Sequence, residues 1–357
     1  MEFSKTMQAA VFSGPNDLRV KVVTSPSGGI RTRVKACAVC GYDVRVFRHG
    51  HRKVRPPVIL GHEICAELVD AVRTPRGNLS AGTRVAIYPQ MPCLECRMCR
   101  LKQYNMCLDL KELGSTVNGG LAEYVQIPEN VVKVGGLVEI PPALTDEQAA
   151  LLEPLACCLN SVSRMDYQRP EHSNVVIIGD GPIGLMHLQL LKQIQSRKVC
   201  VVGRIDSRMQ KAREMGADFV MKRKDEDSTI HTIIENFGGA SADSVVIATS
   251  NPLALELALK VAGKNSLINL FAGMSHDNLP QIDANRVHYD QISVIGSFGC
   301  TPSLMSKAAD MVSEKKIDLS SLVTHHYNIL EAERAFLDTE NYAGLRGVIN
   351  RFQLPLS

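Results

Sequence analysis

The sequence predicts an α/β protein that combines a small β-rich domain with a parallel sheet covered by helices on both faces. Two observations lead to this fold class. Residues 7–155 contain short β-type runs separated by loops with Gly and Pro. From residue 174 onward, continuous apolar runs alternate with helical segments, which is typical of a parallel sheet. The chain of 357 residues is long enough for both domains.

The elements follow from local periodicity and turn signals. In the first domain, β-type runs are found at 8–12, 34–38, 67–72, 84–87 and 124–127. Helical spacing through 148–163 marks the change of pattern. The second domain then has strand-like runs at 174–178, 198–202, 217–221, 243–248, 266–270 and 292–297. Helices are predicted between them at 182–195, 207–215, 229–237 and 252–261. The last predicted elements are a helix at 303–314, an amphipathic segment at 329–337 and a strand at 346–352.

The composition excludes several classes of function. The 40 Lys and Arg residues nearly balance the 37 Asp and Glu residues, so the net charge of +3 indicates neither a nucleic-acid partner nor a membrane partner. No apolar run approaches the length of about 18 residues that a membrane helix needs, and no signal peptide precedes Met7. The odd number of cysteines, 11, argues against a full disulfide framework. We therefore expect a cytoplasmic protein that acts on a small molecule.

Four cysteines lie close together within residues 91–109. Cys93, Cys96, Cys99 and Cys107 have the spacing C-x2-C-x2-C-x7-C, with which four thiolates of one loop can enclose a zinc ion. The alternatives are four unrelated buried cysteines or two disulfides, and disulfides are rare in reducing compartments. A zinc ion with four protein ligands has no open position, so this lobe is predicted to be structural.

A glycine-rich loop follows the first strand of the second domain. The strand runs into Gly179-Asp180-Gly181-Pro182-Ile183-Gly184 and then into a helix, which is the context that gives G-x-G-x-x-G its meaning. Gly179 allows the tight turn, Gly181 lets a pyrophosphate approach the backbone, and Gly184 lets helix and strand pack closely. The alternative is a purely structural glycine turn. The motif predicts dinucleotide binding at the helix N-terminus.

The end of the next strand bears on the choice between NAD and NADP. NAD sites usually have Asp or Glu about 20 residues beyond the motif, where it binds the ribose 2′-hydroxyl. Here that place is taken by Gly203, followed by Arg204 and Arg208. Asp206 could serve if the loop bends back, and the arginines could also be solvated surface residues. An absent carboxylate beside a guanidinium favours the 2′-phosphate, so we predict NADP over NAD.

Further metal-ligand candidates are spread along the chain. Cys40 opens Cys-Gly-Tyr-Asp, His62 lies in Gly-His-Glu, and Glu153 precedes the nucleotide domain. Each residue alone also has an ordinary explanation: Cys40 could be a core cysteine, and Glu153 could be a surface carboxylate. Together, one thiolate, one imidazole and one carboxylate neutralise Zn²⁺ and leave a fourth position for water or substrate.

In their order and spacing, these motifs resemble those of the zinc-dependent medium-chain alcohol dehydrogenases, in the branch of sorbitol (polyol) and threonine dehydrogenases. The resemblance covers nearly all of residues 7–352 and includes LLEPLA at 151–156, GADFV from 216 and GLR from 344. It implies a GroES-like catalytic domain formed by residues 1–155 and 298–357. A Rossmann domain, residues 156–297, would be inserted between the two segments. The resemblance also implies a homotetramer or a homodimer.

Residue roles follow from the same resemblance. Cys40 and His62 match the family's catalytic zinc ligands, and Glu153 matches the glutamate ligand of the polyol branch. Asp43 matches the carboxylate that bonds the liganding histidine and fixes its tautomer. Glu63 matches a glutamate that can enter or leave the coordination shell. Because another anionic ligand would reduce the Lewis acidity of zinc, we expect Glu63 outside the shell for most of the cycle.

Three further positions concern the coenzyme and the proton. Arg346 matches a basic residue that contacts the pyrophosphate. The family usually has Thr or Ser where this chain has Tyr42, and many relatives have a relay histidine where it has Arg45. Arginine does not release a proton near neutrality, so proton exit is predicted through Tyr42 to water or through Glu63.

The predicted reaction is the reversible oxidation of a secondary alcohol of a polyol, cyclitol or amino alcohol, with hydride transfer to NAD(P). Two zinc ions per chain are expected. Arg48, His49, His51 and Arg52 form a basic loop that is interpreted as a solvated face. If the loop reaches the pocket, a sugar phosphate or other anionic polyol becomes the alternative substrate. A zinc-free quinone reductase would contain no zinc and a non-catalytic zinc-binding module only one, so metal content separates both from the dehydrogenase.

Overall fold

The structure is a computed structural model that describes residues 4–166, 173–194, 197–223, 226–274 and 280–352. The chain forms two compact units, of which the first contains residues 1–156 and 300–357 and the second residues 157–299. No helix of the described residues is both long enough and apolar enough to span a bilayer.

The first unit is dominated by β-strands. Its strands are β1 Thr6–Gly14, β2 Asp17–Thr24, β3 Ile30–Ala38, β4 Val58–Ile59, β5 Glu63–Leu68, β6 Val72–Thr74, β7 Gly77–Leu79, β8 Arg84–Ile87, β9 Gln90–Met91, β10 Lys111–Glu112, β11 Tyr124–Ile127, β12 Leu137–Glu139, β19 Val323–Asn328 and β20 Arg346–Arg351. The main sheet has the order β12-β8-β5-β3-β20-β19, with β11 paired to β3.

Short helices connect these strands. They are α1 Gly41–His49, α2 Arg97–Arg100, α3 Glu129–Lys133, α4 Asp146–Ala150, α11 Pro302–Ser313 and α12 Ala332–Glu340, with 3₁₀ turns at Tyr104–Met106, Ser320–Leu322 and Ile329–Glu331. Helix α5, Leu152–Asp166, begins in this unit and continues into the second. The central strand β3 is antiparallel to both β5 and β20, so the ends of all three strands meet beside the start of α1.

The second unit is the predicted parallel sheet with alternating helices. Its elements are β13 Asn174–Ile178, α6 Pro182–Leu191, β14 Lys198–Gly203, α7 Asp206–Glu214, β15 Phe219–Lys222, α8 Glu226–Asn236, β16 Ala242–Ile247, α9 Leu253–Val261, β17 Ala262–Leu270, α10 Ala284–Tyr289 and β18 Ser293–Gly296. The strand order is β15-β14-β13-β16-β17-β18, and each pair is parallel. This is the order of the dinucleotide-binding Rossmann fold, so the predicted fold class is confirmed.

Several local predictions differ from the structure. The β-type run predicted at 67–72 is not one strand, because β5 ends at Leu68 and β6 begins at Val72. Periodicity gave no signal for α1 or α10, which are only nine and six residues long and partly exposed. The helix predicted at 148–163 is two helices, because α4 ends at Ala150, with Leu151 as its C-cap, and α5 begins at Leu152. A capping box at Thr145 fixes the start of α4, since its hydroxyl accepts from the N–H of Gln148 at 3.2 Å. Residue 195, at the end of one predicted helix, lies outside the described residues.

Candidate active site and metal centres

The ends of β3, β5 and β20 bring a thiol, an imidazole and a carboxylate together. Cys40 lies between β3 and α1 and is the N-cap of α1. Glu63 is the first residue of β5 and faces Ala38 of β3, two residues before Cys40. The ligand atoms of Cys40, His62 and Glu63 all lie within 4.8 Å of one another. The three residues therefore form one candidate metal cluster.

Asp43 holds the imidazole of this cluster. Its Oδ1 lies 3.3 Å from Nδ1 of His62, and its Oδ2 accepts a hydrogen bond from the N–H of Cys40 at 3.1 Å. Burial alone would lower the pKa of His62, but the charge of Asp43 and the contact with Cys40 outweigh it and hold the pKa well above its usual value. A proton on Nδ1 that faces Asp43 leaves Nε2 available as a ligand atom, the arrangement expected for a metal-binding histidine.

A buried arginine faces the carboxylate of the cluster. Nη2 of Arg346 lies 3.1 Å from Oε1 of Glu63, and Nη1 donates to the carbonyl of Val39 at 3.0 Å. The two charged side chains are 5% and 0% exposed. Burial alone would lower the pKa of Arg346, but the charges of Glu63 and Cys40 raise it, so the guanidinium stays charged. The structure thus places Arg346, which the resemblance assigns to the pyrophosphate, beside Glu63.

Charge and hydrogen bonding show that a divalent cation fits this cluster. Among the described residues, neither oxygen of the buried Glu63 carboxylate receives a hydrogen bond. With Cys40 as thiolate and His62 neutral, the forms that bind a metal, the cluster has three anions, Cys40, Asp43 and Glu63, against the single guanidinium of Arg346. The remaining two negative charges are those that Zn²⁺ would balance, and sulfur, nitrogen and oxygen are its usual ligand atoms.

Glu153 lies in a different cluster. Its carboxylate is within 4.8 Å of Sγ of Cys300, and its side chain is buried at 8% exposure. The cluster of Cys40 and His62 instead contains Glu63, which we expected outside the shell. Direct ligation by Glu153 therefore stays a prediction. The pairing of β5 with β3, which the sequence does not reveal, places Glu63 beside the thiol of Cys40.

Tyr42 lies against the imidazole of the cluster and is linked to two further polar residues. Its ring meets that of His62 edge to face, with the centroids 5.7 Å apart. Its Oη is 3.2 Å from Oγ of the buried Ser115 and 3.4 Å from Nδ1 of the exposed His51. Burial raises the pKa of Tyr42, and the bond to Ser115 opposes that change. The sequence reasoning missed Ser115, for which no motif gave a signal.

The basic loop is only partly the solvated face that we predicted. His51 reaches Tyr42, and partial burial, followed by the charges of Lys53 and Arg52, lowers its pKa. The guanidinium of Arg48 instead forms an ion pair with Glu340. One member of the loop therefore belongs to the candidate site, and another helps to attach α1 to α12.

A second polar chain, missed in the sequence, lies near Tyr42 and His51. The hydroxyl of Tyr88 donates to Oε1 of Gln90 at 3.0 Å, and Nε2 of Gln90 donates to Oε1 of Glu112 at 3.0 Å. The chain ends on the carboxylate of Glu112, whose charge acts on both Tyr42 and His51.

The four cysteines of residues 91–109 form a second candidate metal centre. Their ligand atoms all lie within 4.8 Å of one another, and the Sγ atoms of Cys96 and Cys99 are 3.5 Å apart. The other measured Sγ distances are 3.9 Å for Cys93–Cys99 and 4.0 Å for Cys96–Cys107. A zinc ion with Zn–S bonds of about 2.3 Å needs ligand separations of about 3.8 Å, so the thiols fit this ion.

The state of the cysteines agrees with zinc and excludes disulfides. All eleven cysteines are free thiols. Backbone hydrogen bonds from Leu108 and Cys99 lower the pKa of Cys96 to about 6, which favours the thiolate that zinc requires, whereas burial raises the pKa of Cys99 to about 12 and also raises that of Cys107. Because four protein ligands complete a tetrahedron, this centre can hold structure but leaves no position for substrate.

The glycine-rich loop between β13 and α6 has the shape that a dinucleotide needs. Gly179 has φ +129°, and a Cβ there would lie 2.8 Å from the carbonyl oxygen of Ala248. A Cβ on Gly184 would lie 1.9 Å from the carbonyl oxygen of Gly179. At Gly181, in contrast, the nearest atom would be 3.9 Å away, which leaves room for a pyrophosphate. Pro182 and Ile183 begin α6, whose N-terminus supplies free N–H groups.

The residues predicted to select the coenzyme lie at the end of β14. Gly203 is the last residue of that strand, and Arg204 and Arg208 follow it in the loop and in α7. Asp206 does not bend back toward the loop, because both of its carboxylate oxygens accept from Nζ of Lys222 at 2.8 Å.

Comparison with known proteins agrees with this geometry. Residues 26–136 match the family model of the alcohol dehydrogenase GroES-like domain, and residues 182–314 match that of zinc-binding dehydrogenases. The sorbitol dehydrogenase of Halalkalibacterium halodurans is 30% identical over 90% of this chain and 92% of its own length. The L-idonate 5-dehydrogenase of Vitis vinifera is 29% identical over 94% and 92%. The D-arabitol-phosphate dehydrogenase of Enterococcus avium is 27% identical over 93% and 94%.

Solved structures of similar proteins contain either coenzyme. One is a protein of Sinorhizobium meliloti 1021 that is assigned as a zinc-binding dehydrogenase and was solved with NADP. It superimposes with a TM-score of 0.87 at 25% identity, over 97% of this chain and all of its own chain. A protein of Escherichia coli CFT073, named a short chain alcohol dehydrogenase and solved with NADH, gives 0.85 at 25% identity with the same coverage. The matched family models, the similarity to polyol dehydrogenases along nearly the whole chain and the two candidate metal centres lead to one conclusion: the chain belongs to the zinc-dependent medium-chain alcohol dehydrogenase family, in its polyol dehydrogenase branch.

Proposed function

We propose that this protein reversibly oxidises a secondary alcohol of a polyol, cyclitol or amino alcohol to the ketone, with hydride transfer to NAD(P). The observation that carries the proposal is the cluster of Cys40, His62 and Glu63, which has an excess of negative charge and carboxylate oxygens that receive no hydrogen bond from the described residues. Membership in the polyol dehydrogenase branch supports the substrate class.

The residues of the cluster would hold the zinc ion. When bound, zinc would supply a Lewis acid that polarises the substrate hydroxyl, and the nicotinamide would accept the hydride. Asp43 orients His62, and Arg346 stabilises the buried charge of Glu63. Glu153 is proposed as a further ligand of the same ion.

The side chain of Tyr42 supports the predicted route for the substrate proton. Its Oη contacts Nδ1 of His51, and His51 is exposed to solvent. A neutral imidazole at this position can accept a proton from the hydroxyl and pass one to water, although its Nδ1 also accepts the N–H of Lys53 at 3.3 Å, and burial and the charges of Lys53 and Arg52 lower its pKa and so weaken it as a base. Arg45 need not take part. His51 would thus replace the relay histidine that many relatives have at the position of Arg45.

Within this function, NADP is proposed as the preferred coenzyme. Gly203 contributes no carboxylate at the end of β14, and two arginines follow it. A guanidinium can pair with the 2′-phosphate, whereas the ribose of NAD gains nothing comparable from it.

A phosphorylated polyol is the second candidate substrate, and one observation favours it. His51 brings the basic loop to Tyr42, and the charges of Arg45, Arg52 and Lys53 all act on His51. This is the condition under which an anionic substrate is expected. The similarity to a D-arabitol-phosphate dehydrogenase points in the same direction.

Two zinc ions per chain, a cytoplasmic location and assembly into a homotetramer or homodimer complete the proposal. The two candidate metal centres support the zinc count. The odd number of cysteines, 11, which argues against a full disulfide framework, supports a reducing compartment.

The experiment is a dehydrogenase screen of polyols, inositols, threonine and sugar phosphates with NAD⁺ and with NADP⁺, together with zinc analysis. We expect turnover of at least one of these alcohols and two zinc ions per chain. Cys40→Ser should leave a folded protein with about one zinc and little activity. The proposal is refuted if no alcohol is oxidised by the zinc-loaded protein, or if Cys40→Ser retains full turnover and full zinc content.

A further inference from the structure

The second residue of the glycine-rich loop, Asp180, places its carboxylate at the end of β14. Oδ2 of Asp180 accepts hydrogen bonds from the backbone N–H groups of Arg204 at 2.7 Å and of Ile205 at 2.8 Å. Asp180 is only 9% exposed. In dinucleotide-binding folds, this strand end is where a carboxylate accepts the 2′-hydroxyl of the adenosine ribose. The loop therefore supplies an acid at a place where β14 has none.

The presence of Gly203 follows from the position of this carboxylate. A Cβ atom on Gly203 would lie 2.6 Å from both Cβ and Oδ2 of Asp180, a separation that side chains do not tolerate. An Asp or Glu at the end of β14 would therefore collide with Asp180. The glycine that suggested an open space for a 2′-phosphate instead makes room for a carboxylate from the neighbouring loop.

This carboxylate acts against a 2′-phosphate in two ways. It occupies two backbone N–H groups, which are the donors that a phosphate at a strand–helix turn would use. Its negative charge also repels the phosphate at short range. A ribose 2′-hydroxyl has no charge and can donate a hydrogen bond to a carboxylate. The guanidinium groups of Arg204 and Arg208 have the opposite preference, because they pair with phosphate.

We infer that Asp180 limits the preference for NADP that Arg204 and Arg208 provide, so that the ratio of the affinities for NADP and NAD is set by this carboxylate acting against the two guanidinium groups. The inference rests on the proposed function, because it requires a nicotinamide dinucleotide at the glycine-rich loop.

The test is the pair of dissociation constants for NADH and NADPH, measured on the purified full chain by the fluorescence of the reduced nicotinamide. Asp180→Asn keeps an oxygen that can accept both N–H groups but removes the charge. The ratio of the NADPH to the NADH dissociation constant should fall at least tenfold relative to the unsubstituted protein, which corresponds to about 1.4 kcal/mol. Asp180→Ser removes the charge with a smaller side chain and decides the question if the Asn variant does not fold.

Two matched variants complete the design. Asp243 also accepts from a backbone N–H, that of Asn174 at 2.8 Å, but at the amino end of β13, so Asp243→Asn should leave the ratio within twofold. Asp206→Asn removes the other acid near the strand end. An unchanged ratio in both Asp180 variants, or a shift confined to Asp206→Asn, would overturn the inference while coenzyme binding itself stands. Failure of the unsubstituted protein to bind either coenzyme would contradict the proposed function as well.

Discussion

Arg346→Met should destabilise the first unit strongly, because it leaves the carboxylate of Glu63 as a buried charge without its partner. The two side chains are 5% and 0% exposed, and their charged atoms are 3.1 Å apart. Removing one partner of a buried ion pair costs about 3–5 kcal/mol, most of it from the remaining desolvated charge. The carbonyl of Val39 also loses a hydrogen bond of 3.0 Å from Nη1.

The assay is the free energy of unfolding of the zinc-free protein, from urea titration followed by circular dichroism. We expect a loss of about 3–5 kcal/mol for Arg346→Met. Because the loss comes from a lone anion, adding Glu63→Gln should recover most of it. As a control, Lys133→Met breaks the ion pair between Lys133 and Glu129, whose side chains are 58% and 75% exposed, respectively. This change should lower the free energy of unfolding by less than about 0.5 kcal/mol. A loss below about 1 kcal/mol for Arg346→Met, or no recovery in the double variant, would refute the reasoning.

Three other changes test separate parts of the account. Burial lowers the pKa of His187 to about 4 from 6.5, so between these pH values the unfolded chain binds a proton that the folded chain does not. The free energy of unfolding should therefore fall by about 3 kcal/mol as the pH drops from 6.5 to 4. Urea titrations across this range should show that His187→Gln removes this pH dependence. An equal slope in the variant would contradict the assignment. Glu63→Gln should weaken zinc binding at the Cys40 cluster by about 10- to 100-fold in competition titrations with a chelator, and it should weaken binding more than Glu153→Gln does. A larger loss of zinc affinity in Glu153→Gln would make Glu153 the ligand. His51→Gln should lower kcat near pH 7 by about 10²-fold without loss of zinc, whereas His49→Gln in the same loop should leave kcat unchanged. Equal kcat values for the two variants would exclude His51 from the proton route.

The parts of this protein that could be predicted from sequence are those encoded by short-range spacing. The four cysteines of residues 91–109 lie on one short segment, so their spacing already implies that they meet. The glycine-rich loop can likewise be recognised from six consecutive residues, and local steric contacts explain why each of its glycines is needed. In the second unit, the alternation of continuous apolar runs with helical segments predicted the parallel sheet for the same reason.

The parts that sequence could not supply depend on contacts between distant segments. Glu63 joins Cys40 because β5 is paired with β3 in a particular register, and Arg346 joins them because β20 lies on the other side of β3. His51 reaches Tyr42 only through the course of the loop after α1. The carboxylate of Asp180 ends beside Gly203 because β13 and β14 are adjacent strands. None of these pairings leaves a periodic signal in the chain.

The most direct test of the account is a crystal structure of the protein with anomalous diffraction recorded at the zinc absorption edge. We expect two zinc peaks per chain, one bonded to Cys40, His62 and a carboxylate and the other among the four cysteines of residues 91–109. A fully zinc-loaded crystal with a peak at the four cysteines and none at Cys40 and His62 would contradict the proposed catalytic site.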